Sequence, residues 1–288
     1  MKLLACPVCR NLLIFEGKKT GSRLVSGYFT CDRGHTYQVK EEIGLLKDAK
    51  LSANEFEWKV DVADEKKYDA IRKQYDSHLR EDQKAATRRT MQRLADLVIA
   101  SSSRSDNVAL DVATGMGTFI LPLAEQAPGS ILLAGTDIDE KPLRGVMSKA
   151  EKANTWHRLS LVVMDAKHLA LKDGSLATIS SHFGFDSVPE TVLAFKESAR
   201  VLRAGGHLFF SSLWLKERSD SMRLAEKYDV GQIATENKLK NALDRAGLTL
   251  EHVEETYSGV WPHNPMDLLP VEGDEYRHVI AQVRKQEG

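Results

Sequence analysis

The sequence predicts an α/β protein in which a domain of alternating strands and helices follows a small cysteine-bearing ribbon. Three observations predict it. From residue 108 onward, short apolar runs alternate with segments of helical periodicity, the pattern of a mostly parallel sheet with crossover helices. The first of those runs ends in a glycine turn that opens a helix. All three cysteines fall within the first 31 residues, at spacings suited to a single metal ion.

The 288 residues suggest about two domains. Residues 1–50 are assigned to the ribbon, 51–107 to a helical connector or lid, and 108–288 to the larger domain. Hydrophobic residues make up 42% and charged residues 28%, a globular composition that excludes disordered and membrane classes. Forty Lys and Arg against 41 Asp and Glu leave a net charge of -1 with no polybasic block, so nothing in the charge demands nucleic acid. Residues 1–50 alone are mildly basic. No apolar run approaches the ~18 to 20 residues that span a bilayer, and residues 1–5 are too short for a signal-peptide core. No membrane span and a cytoplasmic location are therefore expected, in keeping with an odd number of reduced thiols.

Cys6-Pro7-Val8-Cys9 is followed by Cys31-Asp32-Arg33-Gly34-His35. Two residues between Cys6 and Cys9 let one tight turn aim both side chains at one ion, and Cys31 with His35 supplies the other two ligands. Short strands are expected at 12–15 and 24–30, with a turn at 17–21 between them. Three thiolates and an imidazole fill a tetrahedral Zn2+ shell with no open position, which marks a structural site. A piece this small has little core of its own, whereas structural zinc in small peptides is worth roughly 10 to 16 kcal/mol of apparent binding energy. The competing reading is three unrelated thiols beside a surface histidine.

In the connecting region, Tyr68, Ile71, Tyr75 and Leu79, then Met91, Leu94, Ala95 and Val98, recur at helical spacing and predict two helices. Serine-rich residues 101–107 read as a loop. The helices either cover a site in the larger domain or form a solvated connector.

Residues 108–112 lead into Asp111-Val112-Ala113-Thr114-Gly115-Met116-Gly117-Thr118, followed by helical character over 119–126. Glycines at 115 and 117 allow close approach of backbone to a ligand, and the following helix offers free N–H groups. A strand at 131–136 ends at Asp137-Ile138-Asp139, about twenty residues past the glycines, where a ribose-binding carboxylate is needed. A third strand, 159–164, ends at Asp165-Ala166, and a carboxylate there suits an adenine amino group. A fourth, 177–181, leads into His182-Phe183-Gly184-Phe185-Asp186. Residues 197–202 read as a helix end, 204–206 as a turn and 207–213 as a fifth strand, with late strands at 248–257 and 276–283.

Taken together, Asp111-x-Ala113-Thr114-Gly115-x-Gly117, Gly135-x-Asp137-x-Asp139, Asp165-Ala166 and Glu197-x-x-Arg200-Val201-Leu202-x-x-Gly205-Gly206 resemble the class I S-adenosylmethionine-dependent methyltransferases over residues 108–285. The resemblance implies a Rossmann-like sheet of seven strands with the last antiparallel, and S-adenosylmethionine as co-substrate. By it, Asp111, Ala113, Thr114, Gly115 and Gly117 lie near the methionine moiety, Asp137 and Ile138 near the ribose, and Asp165 and Ala166 near the adenine. Thr118 stands where some members carry a third glycine, and Ser175-Leu176-Ala177 replaces their Ser-Phe-Asp. A nicotinamide dehydrogenase competes poorly, because Ile120 occupies the last position of its G-x-G-x-x-G.

The ribbon, with Tyr37 and Gly44-Leu45-Leu46 after it, resembles the start of ribosomal-RNA guanine-N1 methyltransferases and also a family of small zinc-ribbon methyltransferase partners. Residues 183–189 look more like quinone-biosynthesis enzymes. A small-molecule methyl acceptor is therefore the first expectation. The alternatives are an RNA acceptor, or a non-catalytic adaptor whose ribbon docks a protein partner. Methyl transfer needs alignment, and a base only if the acceptor carries a proton. His182 and Asp186, just past the fourth strand, are the candidate catalytic residues, and Tyr257, Trp261, Pro262, His263 and Asn264 a candidate pocket wall.

Overall fold

The computed structural model describes residues 3–50, 65–102 and 108–286. The ribbon consists of β1 (Ile14–Thr20), β2 (Arg23–Thr30), β3 (Thr36–Lys40) and β4 (Ile43–Leu45), each antiparallel to the next. The hairpin turn falls later than expected. β1 runs through residues 17–20 because a register shift between Lys18 and Lys19 lets the strand bend and stay paired.

Helices α1 (Glu65–His78) and α2 (Glu81–Ser102) follow. Gln83, Ala86, Thr90, Leu94, Ala95 and Val98 form the buried stripe of α2, at spacings of three and four residues. The helix continues through Ser101 and Ser102, so the expected loop is shorter, and its residues 103–107 lie outside the described residues, as does the side chain of Tyr68.

The larger unit alternates β5 (Val108–Val112), α3 (Ile120–Gln126), β6 (Leu132–Asp137), α4 (Glu140–Lys152), β7 (Leu159–Val163), β8 (Leu176–His182), α5 (Thr191–Val201) and β9 (Leu202–Leu215). It then closes with α6 (Asp220–Lys227), α7 (Glu236–Asp244), β10 (Leu248–Val260) and β11 (Glu275–Lys285). Helix starts follow from capping chemistry. Asp139 accepts from the Lys141 N–H at 3.0 Å to open α4, and Ser219 and Thr235 do the same for α6 and α7. The expected turn at 204–206 is absorbed into β9 as a bulge, since Leu176 pairs Leu202 but Thr178 pairs His207.

The strands form one sheet in the order β1-β2-β3-β4-β7-β6-β5-β8-β9-β11-β10. From β4 to β9 every pairing is parallel, and β11 is antiparallel to both β9 and β10. The seven strands from β7 to β10 form the Rossmann-like sheet of the class I methyltransferases, with its last strand in the chain antiparallel. The ribbon joins the same sheet, because Gly44 and Leu45 pair with Val162 and Val163 and the Leu46 N–H donates to the Val163 carbonyl at 2.9 Å. Central β8 is buried at every residue but His182, as a strand covered on both faces must be. Among the described residues no helix is long and apolar enough to cross a membrane.

Phe29, Cys31, Tyr37, Val39 and Leu46 of the N-terminal segment share one apolar core with Met164, Leu169, Ala170, Ile179 and Phe195 of the larger unit. Leu46 is fully buried there. Leu46→Ala is expected to cost about 2–5 kcal/mol in denaturant unfolding of the full chain, from lost transfer energy plus the cavity left behind. An unchanged midpoint would show that this segment contributes nothing to the common core.

Candidate functional site

Parallel pairing of β5, β6 and β7 places their carboxyl ends side by side, and Asp111, Asp137 and Asp165 stand at that edge. They face a cavity of about 960 Å³, near the upper end of the usual range for small-molecule sites.

The glycine turn is built by Asp111. Its Oδ2 accepts from the Thr114 hydroxyl at 2.9 Å and its Oδ1 from the Ser180 hydroxyl at 3.0 Å, while the Thr114 N–H donates to the Thr136 carbonyl. Burial pushes the Asp111 carboxyl up to about 7 despite these donors. Ala113, Gly115 and Gly117 are all left-handed, at φ 54, 53 and 79°. The two glycines serve different needs. A Cβ at Gly115 would meet nothing within 4 Å, so this backbone is bare toward the cavity. A Cβ at Gly117 would lie 2.8 Å from Val146 Cγ2, so this glycine lets α3 and α4 pack closely and stands outside the cavity wall.

Asp137 Oδ2 accepts from the bare Gly115 N–H at 2.8 Å, and Oδ1 from the Asp139 N–H at 3.1 Å. Burial raises its carboxyl above the usual range. Ile138 lines the cavity beside it. Asp165 is 2% exposed; its Oδ1 accepts from the Lys167 N–H at 2.8 Å, but its buried Oδ2 has no partner. Leaving such an acceptor unsatisfied costs about 1–3 kcal/mol, which a donor on a bound ligand would recover. Ala113, Thr114 and Ala166 complete this part of the wall.

His182 and Asp186 both line the cavity. His182 Nδ1 is 2.8 Å from the Ser211 hydroxyl, and burial, then His278, holds its imidazole down to about 3, hence neutral. Asp186 Oδ1 accepts from the Ser212 hydroxyl at 2.5 Å and Oδ2 from the Leu213 N–H at 3.0 Å. Burial pushes its carboxyl up to about 7.

The opposite wall was largely invisible in the sequence. Tyr75 from α1, Gln83 from α2, Asp267, and Tyr276 and His278 from β11 all reach the cavity, and the Gln83 amide donates to the Tyr276 hydroxyl at 2.9 Å. His278 is 4% exposed, its Nδ1 is unpartnered, and burial holds it down to about 4. Burial raises Asp267 to about 7, with Tyr75 and Trp261 beside it. Of the expected aromatic-proline wall only Trp261 faces the cavity. His263 is exposed and bonds Glu272. In the sequence Tyr75 stands only as part of a helical stripe, and the others lie on a helix, in a loop and on a late antiparallel strand. For His278 the available sequence signal was the alternation of charged residues with Tyr276 and His278 over residues 275–278.

At the ribbon, the ligand atoms of Cys6, Cys9, Cys31 and His35 lie within 4.8 Å of one another. His35 Nδ1 is 3.5 Å from Cys6 Sγ and 3.3 Å from Cys31 Sγ, and Cys9 and Cys31 sulfurs are 3.7 Å apart. A zinc tetrahedron with Zn–S of about 2.3 Å and Zn–N of about 2.0–2.1 Å has edges of about 3.5–3.8 Å, so the donor set and its spacing fit that ion. Two turns build the set. In one the Arg10 N–H donates to the Cys6 carbonyl, and in the other the Gly34 N–H donates to the Cys31 carbonyl.

Residues 110–210 match the model of a methyltransferase domain family. A ubiquinone/menaquinone biosynthesis C-methyltransferase of Rickettsia bellii is 32% identical over 139 residues, which are 45% of this chain and 56% of that one. The chain thus spans about half the length of that curated relative. Among solved structures, a geranyl diphosphate C-methyltransferase of Streptomyces coelicolor, in complex with S-adenosylhomocysteine, superposes with TM-score 0.52 at 11% identity, covering 67% of this chain and 76% of that one. The [4+2]-cyclase SpnF superposes with TM-score 0.54 at 21% identity, covering 68% and 81%. These two likenesses show the fold alone. Residues 110–210 thus carry a methyltransferase domain, and the strand order gives it the class I fold.

A raised carboxyl makes Asp186 a source of pH dependence. The folded protein keeps a proton that the unfolded chain releases above about pH 4, so Asp186 withdraws stability as pH rises from about 4 to about 7. Asp186→Asn removes that withdrawal. Thermal melts at about pH 4.5 and about pH 7.5 are therefore expected to show the variant gaining on wild type at the higher pH; a difference independent of pH would refute the assignment.

Proposed function

We propose that the methyltransferase domain of this chain binds S-adenosylmethionine across β5, β6 and β7 and methylates a small-molecule acceptor held against the aromatic wall. The carrying observation is the unpartnered Asp165 Oδ2, buried in the same cavity as Asp137, the bare Gly115 backbone and the acceptor-side wall. When bound, the co-substrate supplies a methyl group on a sulfonium whose C–S electron pair stays on sulfur as the methyl leaves.

The chain's residues recognise and align. Asp165 Oδ2 accepts from the adenine amino group, and Asp137 accepts from the ribose hydroxyls while it holds the Gly115 backbone. Ala113 and Thr114 carry the turn past the methionine portion, Ile138 flanks the ribose and Ala166 the adenine, and Gly117 acts at one remove by seating α3 on α4. Buried carboxylates at 111, 137 and 186 make the cleft favourable to a cation, and a sulfonium in turn favours their ionised forms. Asp186, titrating near 7, is matched to removing a proton from the acceptor. His182, neutral and weakly basic, orients the acceptor. The C-methyltransferase relative suggests carbon as the methylated atom, in which case the proton leaves the acceptor carbon as the new C–C bond forms.

A cavity of this size suits a metabolite, and the sequence has no polybasic block to hold structured RNA. At the ribbon, Cys6, Cys9, Cys31 and His35 hold a structural Zn2+. A thiolate site needs reduced cysteines, which supports a cytoplasmic setting.

Calorimetric titration with S-adenosylmethionine and S-adenosylhomocysteine, with NADH as control, is expected to show binding of the first pair only. Asp137→Ala and Asp165→Ala should each weaken binding about tenfold or more, the loss of a hydrogen bond in a buried site. Near-wild-type affinity in both would overturn the cofactor assignment. Replacing Cys6 and Cys9 together by Ser should abolish the single equivalent of zinc. Retained metal would refute the ligand set. Methyl acceptance from a metabolite extract, set against ribosomal RNA, separates the two acceptor classes.

A further inference from the structure

The ribbon touches the adenine side of the cleft through one guanidinium. Arg10, next to Cys9 in the metal knuckle and held left-handed at φ 63°, donates from Nη1 to the Leu169 carbonyl at 2.9 Å and from Nη2 to Glu197 Oε1 at 3.0 Å. Glu197 Oε2 in turn accepts from the Leu169 N–H at 2.9 Å. Both backbone groups of Leu169 are thus held by the Arg10–Glu197 pair, and Arg200 from α5 donates to the same carbonyl and to Glu197 Oε2, each at 2.8 Å. Glu197 and Arg200 are the residues of the E-x-x-R pattern read from the sequence.

Leu169 ends the turn that carries Asp165. The His168 N–H donates to the Asp165 carbonyl at 2.9 Å and the Lys167 N–H to its carboxylate, so four residues close on themselves. Beyond the turn, the Ala5 N–H of the ribbon donates to the Ala170 carbonyl at 3.0 Å, and the Lys172 N–H to the Leu3 carbonyl at 2.9 Å. Leu169 and Ala170 are fully buried. The turn that carries Asp165 is therefore gripped at its far end by Arg10 of the metal knuckle together with Glu197 and Arg200 of α5.

We infer that Arg10 is a positioning residue through which the metal-bound ribbon holds the adenine-side turn, so that metal and cofactor bind cooperatively. This rests on the function proposed above. The ribbon is then a part of the cofactor site, beyond any role in recruiting a substrate or partner. The guanidinium fork spans the Leu169 carbonyl and the Glu197 carboxylate at once, which a lysine ammonium on its flexible stem does not reproduce. Coupling of this kind is reciprocal: whatever factor the metal adds to cofactor affinity, the cofactor adds to metal affinity.

The test uses the full-length, zinc-loaded chain. Arg10→Met is expected to keep one zinc per chain, to weaken S-adenosylhomocysteine about tenfold in calorimetry, and to speed amide exchange at Leu169 and Ala170. In wild type, saturating S-adenosylhomocysteine should tighten zinc about tenfold against a competing chelator, and this effect should disappear in Arg10→Met. A merely structural role for Arg10 would leave that mutual dependence intact. Arg10→Lys is expected to fall between the two, and it carries the same test should the Met variant not fold. Unchanged product affinity, or zinc affinity still responsive to the product in the variants, overturns the inference alone. Wild-type protein that binds no product overturns the cofactor reading and this inference with it.

Discussion

Parallel pairing of β5, β6 and β7 is the constraint on which the rest of the molecule depends. Strands that run the same way end at the same edge, so three aspartates that are far apart in sequence become neighbours without any direct attraction between them. They would repel if all were ionised in that space. Asp111 and Asp137 instead hold raised pKa values, spend their lone pairs on the hydroxyls and N–H groups of the glycine turn, and leave the cleft suited to a cation. This edge is also where ligands bind in open α/β sheets, because the loops diverge there.

Burial acts in opposite directions on the two kinds of titratable group that line the cavity. It pushes the carboxyls of Asp111, Asp186 and Asp267 up and the imidazoles of His182 and His278 down, so it favours the neutral form of each of these five groups. Charge brought in by a ligand would decide which of them ionise. Among the polar atoms left without partners at the cavity, Asp165 Oδ2 lies on one wall and His278 Nδ1 on the other.

Much of this was legible from residue pattern. β5 spans the residues expected of it, the Asp137 and Asp165 strand ends stand at the cleft, and the four metal-ligand candidates converge. Other features were legible as motifs but not as mechanics. Gly115 and Gly117 look alike in sequence, yet one borders the cavity and the other seats a helix, a difference set by Val146 far along the chain. Glu197 and Arg200 carried a family resemblance without a reason, and the reason is the turn that they grip after β7. Much of the wall opposite the aspartates was missed because β11 returns antiparallel between β9 and β10 and delivers Tyr276 and His278 from late in the sequence.

The sequence by itself determined the α/β class and the order of elements, and it singled out four residues whose metal-ligating atoms converge and the aspartates that stand at the carboxyl edge of the sheet. Each of these is written in local spacing: period in apolar runs, two residues between cysteines, a glycine turn after a strand. Tertiary structure alone decided that the ribbon continues the main sheet, that Arg10 reaches Glu197 and Leu169, and that two helices and a late strand line the far wall of the cavity. Those outcomes depend on which strand edge remains free to pair and on which side chains a shared core brings within hydrogen-bonding reach. Neither quantity has a period along the chain.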